Sequence, residues 1–361
     1  MAARGLDVLV LFSSENIFYL TGFGSLAYGQ TVLLLGADGA GMWVIRRTEL
    51  SNIRALHAEL WAKDGVGVAD GEAFGTVLRA TVRERFPAAR RVGVELGTVK
   101  AGPATFLGLS QFEYECEDAS GVVERLRRVK SPAEIALLRR AGGIVAAACR
   151  AGFEALRPGV TDSELAAVVT AALVRGGSGR TAQMPNVCAG PRTARAHVTW
   201  CGNVVRPGEV VNIEPAACVH DYHTPVFRMG SLGPPPAEAA AMFDRCREAL
   251  AAGIAGVRPG MTSHEAARLF ETVLERSRWA EYMVTRPAYS IGCAFPPGWG
   301  EDEVVAIRHG SEQVLEAGMC FHVTPCLYKD GLGCVAASMP SVLTAEGLAP
   351  LCDDEVAWTK R

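Results

Sequence analysis

The chain has 361 residues, more than one hydrophobic core is expected to support, so two domains are expected. With 36 basic against 39 acidic residues, 21% charged and 49% apolar, it reads as a soluble globular protein. No basic block exceeds the short ERLRRVK segment, which argues against a nucleic-acid or membrane partner.

The N-terminal MAARGLDVLVLFSSEN carries an apolar run too short to span a bilayer and without a cleavage-type end, so it is read as a buried strand. Leu6 to Phe12, Thr31 to Leu35 and Met42 to Ile45 are β-rich runs, the last two joined by the hairpin signal GADGAG. Thr48 to Leu60 and Glu72 to Phe86 have helical periodicity, and Arg91 to Leu96 and Phe112 to Cys116 read as further strands. Together these describe a small α/β domain over residues 1–127. A second domain, 128–361, opens with SPAEIALLRRA, where Ser131, Pro132 and Glu134 form a capping box with a proline in the first helical position.

This second domain is internally duplicated. LRPGVTDSELAAVV from Leu156 matches VRPGMTSHEAARLF from Val257, an offset of 101 residues. GEVVNIEP from Gly208 matches GMCFHVTP from Gly318, an offset of 110. Two copies of a helix, helix, strand, strand unit are implied, related by an approximate two-fold, with a site expected where they meet. Glu214 then corresponds to Thr324 and Asn212 to His322.

Eleven cysteines, an odd number with no C-x-x-C pair, argue against a disulfide framework or structural zinc and suggest the reducing cytoplasm. A dinuclear hydrolytic site needs roughly four to six carboxylate or imidazole ligands. The first half offers Glu214, His220, Asp221 and His223, the second only His322 without an adjacent carboxylate, so the count falls short.

ENIFYLTGFGS, RRVKSPAEIALLRRA, the paired RPG-x-T-x-x-E helices and the strands around Glu214 together resemble the creatinase and aminopeptidase P superfamily. The resemblance covers nearly the whole chain and implies an α/β (α+β) pita-bread fold behind a creatinase-like N-terminal domain. In the metallopeptidase members two Asp, one His and two Glu bind two metal ions. Those positions fall here on Glu214, Pro225, Tyr289, Thr324 and Ser338, so no metal and no cofactor are expected. YSIGCAFPPGWGE, NIEPAACVHDYHTPVFR and FHVTP are most similar to the metal-free ectoine hydrolase branch, whose members open a cyclic amidine. Creatinase, a cousin, releases urea from a guanidino acid. Departures from the branch are Ala336 and Met339 near the last strand, and GSLAYGQ in the N-terminal domain.

A carboxylate at a strand end can pair with an amidinium and either attack its carbon or activate water toward it, the role open to Glu214. The resemblance gives His197 general acid/base duty and turns the Tyr289 phenol into the space a metal ligand vacates. Alternation along DYHTPVFR lets only one of Tyr222 and His223 face the cavity, and His223 is counted as catalytic. Tyr222, His322, Phe295, Trp299 and Thr324 complete the substrate-binding set, with His322 supporting from behind and the Phe295 to Trp299 turn walling the pocket. Cys293 is an alternative nucleophile. The expected activity is metal-independent hydrolysis of a C–N bond in a small amidine, guanidino or amide compound. The alternatives are a lyase, cyclase or isomerase on the same scaffold, a non-catalytic binding relative, and a metallopeptidase. The resemblance further implies a homodimer in which one chain's N-terminal domain closes the other's pocket.

Overall fold

The structure, a computed structural model, describes residues 1–24, 31–56, 59–98, 102, 109 and 114–361. It divides into two compact units, Met1–Arg127 and Arg128–Arg361.

In the first unit, β1 (Val8–Leu11), β2 (Val32–Gly36), β3 (Gly41–Arg46), β4 (Gly65–Val68), β5 (Arg91–Val94) and β6 (Glu115–Asp118) form a mixed sheet ordered β4-β3-β2-β1-β5-β6. With them are α1 (Ser14–Thr21), α2 (Arg47–Leu56), α3 (Phe74–Arg85) and α4 (Glu124–Arg127). Alternate residues of the central strands face opposite ways. Leu9, Leu11, Leu33, Trp43 and Ile45 pack one core, while Val8, Val10, Leu34, Val44 and Val92 pack another.

Two elements here escape the periodicity argument. Helix α1 is set by Ser13, whose hydroxyl accepts from the Asn16 N–H, and β4 is a Gly-Val-Gly-Val edge of weak intrinsic strand preference that pairs with β3. The helix expected to reach Leu60 ends at Leu56, with residues 57–58 outside the described ones. The strand expected from Phe112 is observed at Glu115–Asp118. Phe112 itself, and residues 25–30 of GSLAYGQ, lie outside the described residues.

The second unit shows the duplication in three dimensions. Its first half comprises α5 (Pro132–Glu154), α6 (Asp162–Arg175), β7 (Asn186–Ala189), β8 (Val211–Glu214), β9 (Ala216–Val219), β10 (Tyr222–Pro225) and β11 (Arg228–Ser231). Its second half comprises α7 (Ala237–Gly256), α8 (Ser263–Glu275), β12 (Ala288–Ser290), β13 (Ala306–Ile307), β14 (Cys320–Val323), β15 (Cys326–Lys329), β16 (Gly333–Ala336), β17 (Met339–Thr344) and β18 (Gly347–Pro350). A last strand, β19 (Thr359–Lys360), returns to β11. The sheets run β19-β11-β8-β7 and β13-β12-β14-β17-β18, with β9-β10 and β15-β16 as matching hairpins.

The repeated residues recur because the same physics recurs. Thr161 and Thr262 each cap the second helix of their half in a box with Glu164 and Glu265. The Arg-Pro-Gly glycines, Gly159 and Gly260, sit at φ 81° and 90°, a left-handed conformation that glycine adopts freely. Helices α7 and α8 touch where Gly253 meets Phe270; a Cβ on Gly253 would lie 1.9 Å from the Phe270 ring. Ser131 caps α5 in the expected box, its hydroxyl accepting from the Glu134 N–H. One continuous core, including Val145, Val169, Ile213, Phe270, Phe321 and Val323, joins both halves. No helix among the described residues is long and apolar enough to cross a membrane.

Candidate active site

The ends of β8 and β14 open on a cavity of about 280 Å³. Five of the residues expected at the site line it: Glu214, His197, Tyr289, Trp299 and Thr324.

Glu214 is the last residue of β8 and stands opposite Asn186 in the β7–β8 ladder. Asn186 Nδ2 donates to Glu214 Oε2 at 3.0 Å. Burial pushes the Glu214 carboxyl up to about 7, and the Asn186 hydrogen bond only partly opposes this. No cation appears among the causes, so the carboxyl is not the ion-paired structural group that such a residue often is.

His197 is held in the left-handed region, φ 58°, within the loop after β7. That loop is pinned by Asp162 at the start of α6, whose Oδ1 accepts from the N–H groups of Cys201, Gly202 and Asn203 at 3.1, 2.9 and 2.9 Å. The result presents the imidazole to the cavity.

Tyr289, on β12, is fixed at its oxygen. Trp299 Nε1 donates to Tyr289 Oη at 2.9 Å, and His322 Nδ1 lies 2.8 Å from the same oxygen. Behind it, His322 Nε2 is 2.7 Å from Ser338 Oγ, which accepts from the Phe227 N–H at 2.9 Å. Burial, reinforced by Arg228 and Arg286, lowers His322 to about 3, so the ring is neutral. Burial, then the Glu214 charge, drives the Tyr289 phenol well above its ordinary value, so it stays protonated.

Four expectations need correcting. His223 does not line the cavity: its Nε2 accepts from the Ala182 N–H and its Nδ1 donates to Asp221 O, each at 2.9 Å. Burial lowers it to about 4, so it is a neutral imidazole fastening the loop that carries Gln183 and Asn186. Tyr222 also points elsewhere, its hydroxyl donating to Glu134 Oε1 at 2.8 Å. Alternation fails to put either one in the cavity because the β9–β10 hairpin is sandwiched. Tyr222 faces α5, and the backbone of β10 bridges to Cys293 and Gly292. Phe295 is buried without lining the cavity, and Trp299 alone of that turn's aromatics walls it. His322 stands behind Tyr289, in the supporting place expected of it, and does not touch the cavity as a substrate-binding residue would. Cys293 is likewise buried away from the cavity.

Several lining residues were not singled out from sequence: Gln183, Asn186, Arg286, Asp302, Cys326 and Tyr328. Gln183 lies in the irregular approach to β7 and Asn186 is the first residue of that four-residue strand, too short to carry a periodic signal. Arg286 lies three residues before Tyr289, and that nearness in sequence could have pointed to it.

The donor set does not fit two divalent ions. Pro225 has no donor. Tyr289 Oη and Ser338 Oγ are both engaged in the chain of hydrogen bonds through His322, and Thr324 offers only a hydroxyl. His220 and Asp221, at φ 48° and 61°, are the two left-handed residues of the β9–β10 turn. Among the described residues no group of three or more His, Cys, Asp or Glu side chains could hold a metal ion.

Comparison with known proteins places this architecture. Over 375 residues the chain is 28% identical to the ectoine hydrolase of Halomonas elongata, covering 98% of this chain and 92% of that protein. It is 26% identical over 343 residues to an Xaa-Pro dipeptidase of Lactobacillus helveticus, covering 94% and 91%. The crystal structure of a prolidase from Thermococcus sibiricus superposes with a TM-score of 0.87 at 21% identity, covering 100% of this chain and 96% of that one, which shows the pita-bread fold. Residues 1–129 match the creatinase/prolidase N-terminal domain, and residues 136–343 match metallopeptidase family M24, to which the chain belongs.

Proposed function

We propose that this protein is a metal-independent hydrolase that cleaves a C–N bond in a small amidine, guanidino or amide compound. The observation that carries the reading is Glu214, a carboxyl facing the cavity with no ion-pair partner among the described residues and a pKa lifted to about 7. Such a group exchanges a proton at neutral pH and is complementary to an amidinium.

A second feature favours water activation over direct attack by the carboxylate. Glu214, His197 and Asn212 also line a small pocket of about 30 Å³, and Asn212 Oδ1 is buried there without a hydrogen-bond partner. Space for one water, with polar groups converging on it, is what a held nucleophile needs. In the proposed reaction a water in this pocket gives a proton to Glu214 while its oxygen bonds to the amidinium carbon. The tetrahedral adduct then breaks its C–N bond, and the leaving nitrogen takes a proton from His197. Tyr289, kept protonated and fixed by Trp299, donates a hydrogen bond to a substrate heteroatom.

The dipeptidase names among the relatives support a peptidase reading, which the donor set disfavours. The test is mass spectrometry on ectoine, creatine and N-acyl diamino acids in the presence of EDTA, looking for gain of one water. Turnover that EDTA abolishes and a divalent ion restores would overturn metal independence, and a product formed without water would overturn hydrolysis.

A further inference from the structure

We propose that Cys326 and Cys334 form a peroxide-reactive dithiol in the cavity wall, with Cys326 taking the oxidant and Cys334 closing a reversible disulfide onto it. The inference stands on the β15–β16 hairpin and does not rest on the hydrolase reading.

The hairpin register sets Cys326 opposite Ala336 and Tyr328 opposite Cys334. Residues two apart on a strand share a face, so both thiols and the Tyr328 ring lie on one side, with the cysteines as diagonal neighbours. Tyr328 hydrogen-bonds to Cys334, and Cys334 to Cys326. On the other side Thr285 Oγ1 lies 2.9 Å from Cys326 Sγ. Cys326 thus ends a chain of donors, and hydrogen bonds to a sulfur favour its thiolate. Burial pushes the thiols of Cys149, Cys246, Cys320 and Cys334 up, whereas the hydrogen bond from Cys334, joined by that from Thr285, holds Cys326 below its ordinary value against burial.

Access completes the arrangement. Cys326 lines the cavity of about 280 Å³, large enough to admit a hydroperoxide, and Cys334 lines the smaller pocket beside it, with Tyr328 common to both. Thr324, two residues before Cys326, lines the same cavity, and its buried Oγ1 has no hydrogen-bond partner among the described residues, which leaves a hydroxyl to donate to the departing peroxide oxygen.

The Cys326 sulfur attacks one peroxide oxygen, the O–O bond breaks, and the leaving hydroxide takes the proton that the thiol gives up, yielding a sulfenic acid and one water. The Cys334 sulfur then attacks the sulfenic sulfur. The S–O bond breaks, the S–S bond forms, and the departing hydroxide takes the Cys334 proton as a second water. The sulfur pair is oxidised and the peroxide reduced, with no other reactant. Because the cysteines are diagonal and not opposite, closing the bond pulls the strands out of register, and strained disulfides of this kind are the easily reduced ones. The competing account is that Cys201, the exposed cysteine, takes the oxidant instead.

The test is peptide mapping of the full chain after hydrogen peroxide treatment, with free thiols alkylated in denaturant. Trypsin cuts after Lys329, so Cys326 and Cys334 leave on separate peptides, 309–329 and 330–360, which stay together only through a disulfide. Joined peptides are expected, with fragmentation placing the bond at Cys326 and Cys334 and not at Cys320 or Cys352, and dithiothreitol should separate them. Cys326 should lose its free thiol at least about 10-fold faster than Cys149 or Cys246. In Cys334→Ala, dimedone should trap Cys326 as its sulfenic acid, and further peroxide should carry it to a sulfinic acid that dithiothreitol does not reverse. If circular dichroism shows that this variant does not fold, the wild-type map decides alone. Oxidation at Cys201 with Cys326 and Cys334 still free, a bond from Cys326 to another cysteine, or no dimedone adduct at Cys326 in the folded variant overturns the dithiol, and each of these leaves the hydrolase reading standing.

Discussion

Replacing Glu214 by Gln should stabilise this protein above neutral pH while abolishing its activity, and the sign of that effect separates a working carboxyl from a structural one. The folded-state value is raised from 4.5 to about 7 by burial. The folded protein therefore holds this proton more tightly than the unfolded chain, so the group's contribution is present below 4.5 and is lost as pH rises through 7. At about 1.4 kcal/mol per pKa unit this is roughly 3 kcal/mol, which cavity solvent reduces to about 2. Gln is isosteric with the protonated acid, can still accept from Asn186 and does not titrate. The two proteins should match near pH 4.5, and the variant should be more stable by about 2 kcal/mol at pH 8, or about 4–8 °C in Tm for a unit of this size. Other titrating groups, including His223 and His322, are common to both proteins and cancel in the difference. The assay is urea denaturation at pH 4.5 and 8, with turnover measured in parallel. A variant less stable than wild type at pH 8, or a difference independent of pH, would refute the desolvated-carboxyl argument.

Further outcomes follow from the same geometry. With Glu214 as base, kcat/KM should rise with pH through an apparent value near 7; a flat profile from pH 6 to 8 would remove it from that role. Lys130→Met should destabilise the protein by about 3–5 kcal/mol in denaturant titration, because Lys130 Nζ lies 2.8 Å from Glu301 Oε2 and both side chains are 1% exposed. The loss should also reduce activity, since Glu301 is flanked by Gly300 and Asp302 of the cavity wall. Gly253→Ala should cost about 1–3 kcal/mol, since the new methyl collides with the Phe270 ring. An unchanged denaturation midpoint would mean that α7 and α8 separate more easily than their packing implies.

The pattern of local signals made the skeleton legible. The boxes at Ser131, Thr161 and Thr262 each form where a hydroxyl residue precedes Glu by three, because a short-range hydrogen bond decides a helix start. The repeat in sequence appears as paired helices and paired hairpins because each glycine and threonine in it satisfies a backbone demand made twice. What period-2 alternation could not show was that neither Tyr222 nor His223 of β10 reaches the cavity. That depends on α5 lying against Tyr222 and on the Ala182 N–H reaching His223, both long-range events. Asn186 and Arg286 were missed for a related reason. One acts through a cross-strand pairing with Glu214, and the other only once the chain brings Asp302 beside it.

The asymmetry between the duplicated halves is the physical centre of the site. Equivalent strand ends carry Glu214 and Thr324, and two residues back they carry Asn212 and His322. A cavity of about 280 Å³ holding several carboxylates and no cation would be self-repelling, and each added acid would raise the others' pKa until all were protonated. On the metal-free reading, Glu214 keeps a proton exchangeable near neutrality because the cavity's other acid, Asp302, is paired with Arg286. The remaining positions are filled by groups that satisfy one another: Tyr289, His322, Ser338 and the Phe227 N–H form one continuous chain of hydrogen bonds. That chain fixes the phenol without adding charge, so among the described residues lining the cavity the carboxylates and guanidinium are those of Glu214 and the Arg286–Asp302 pair.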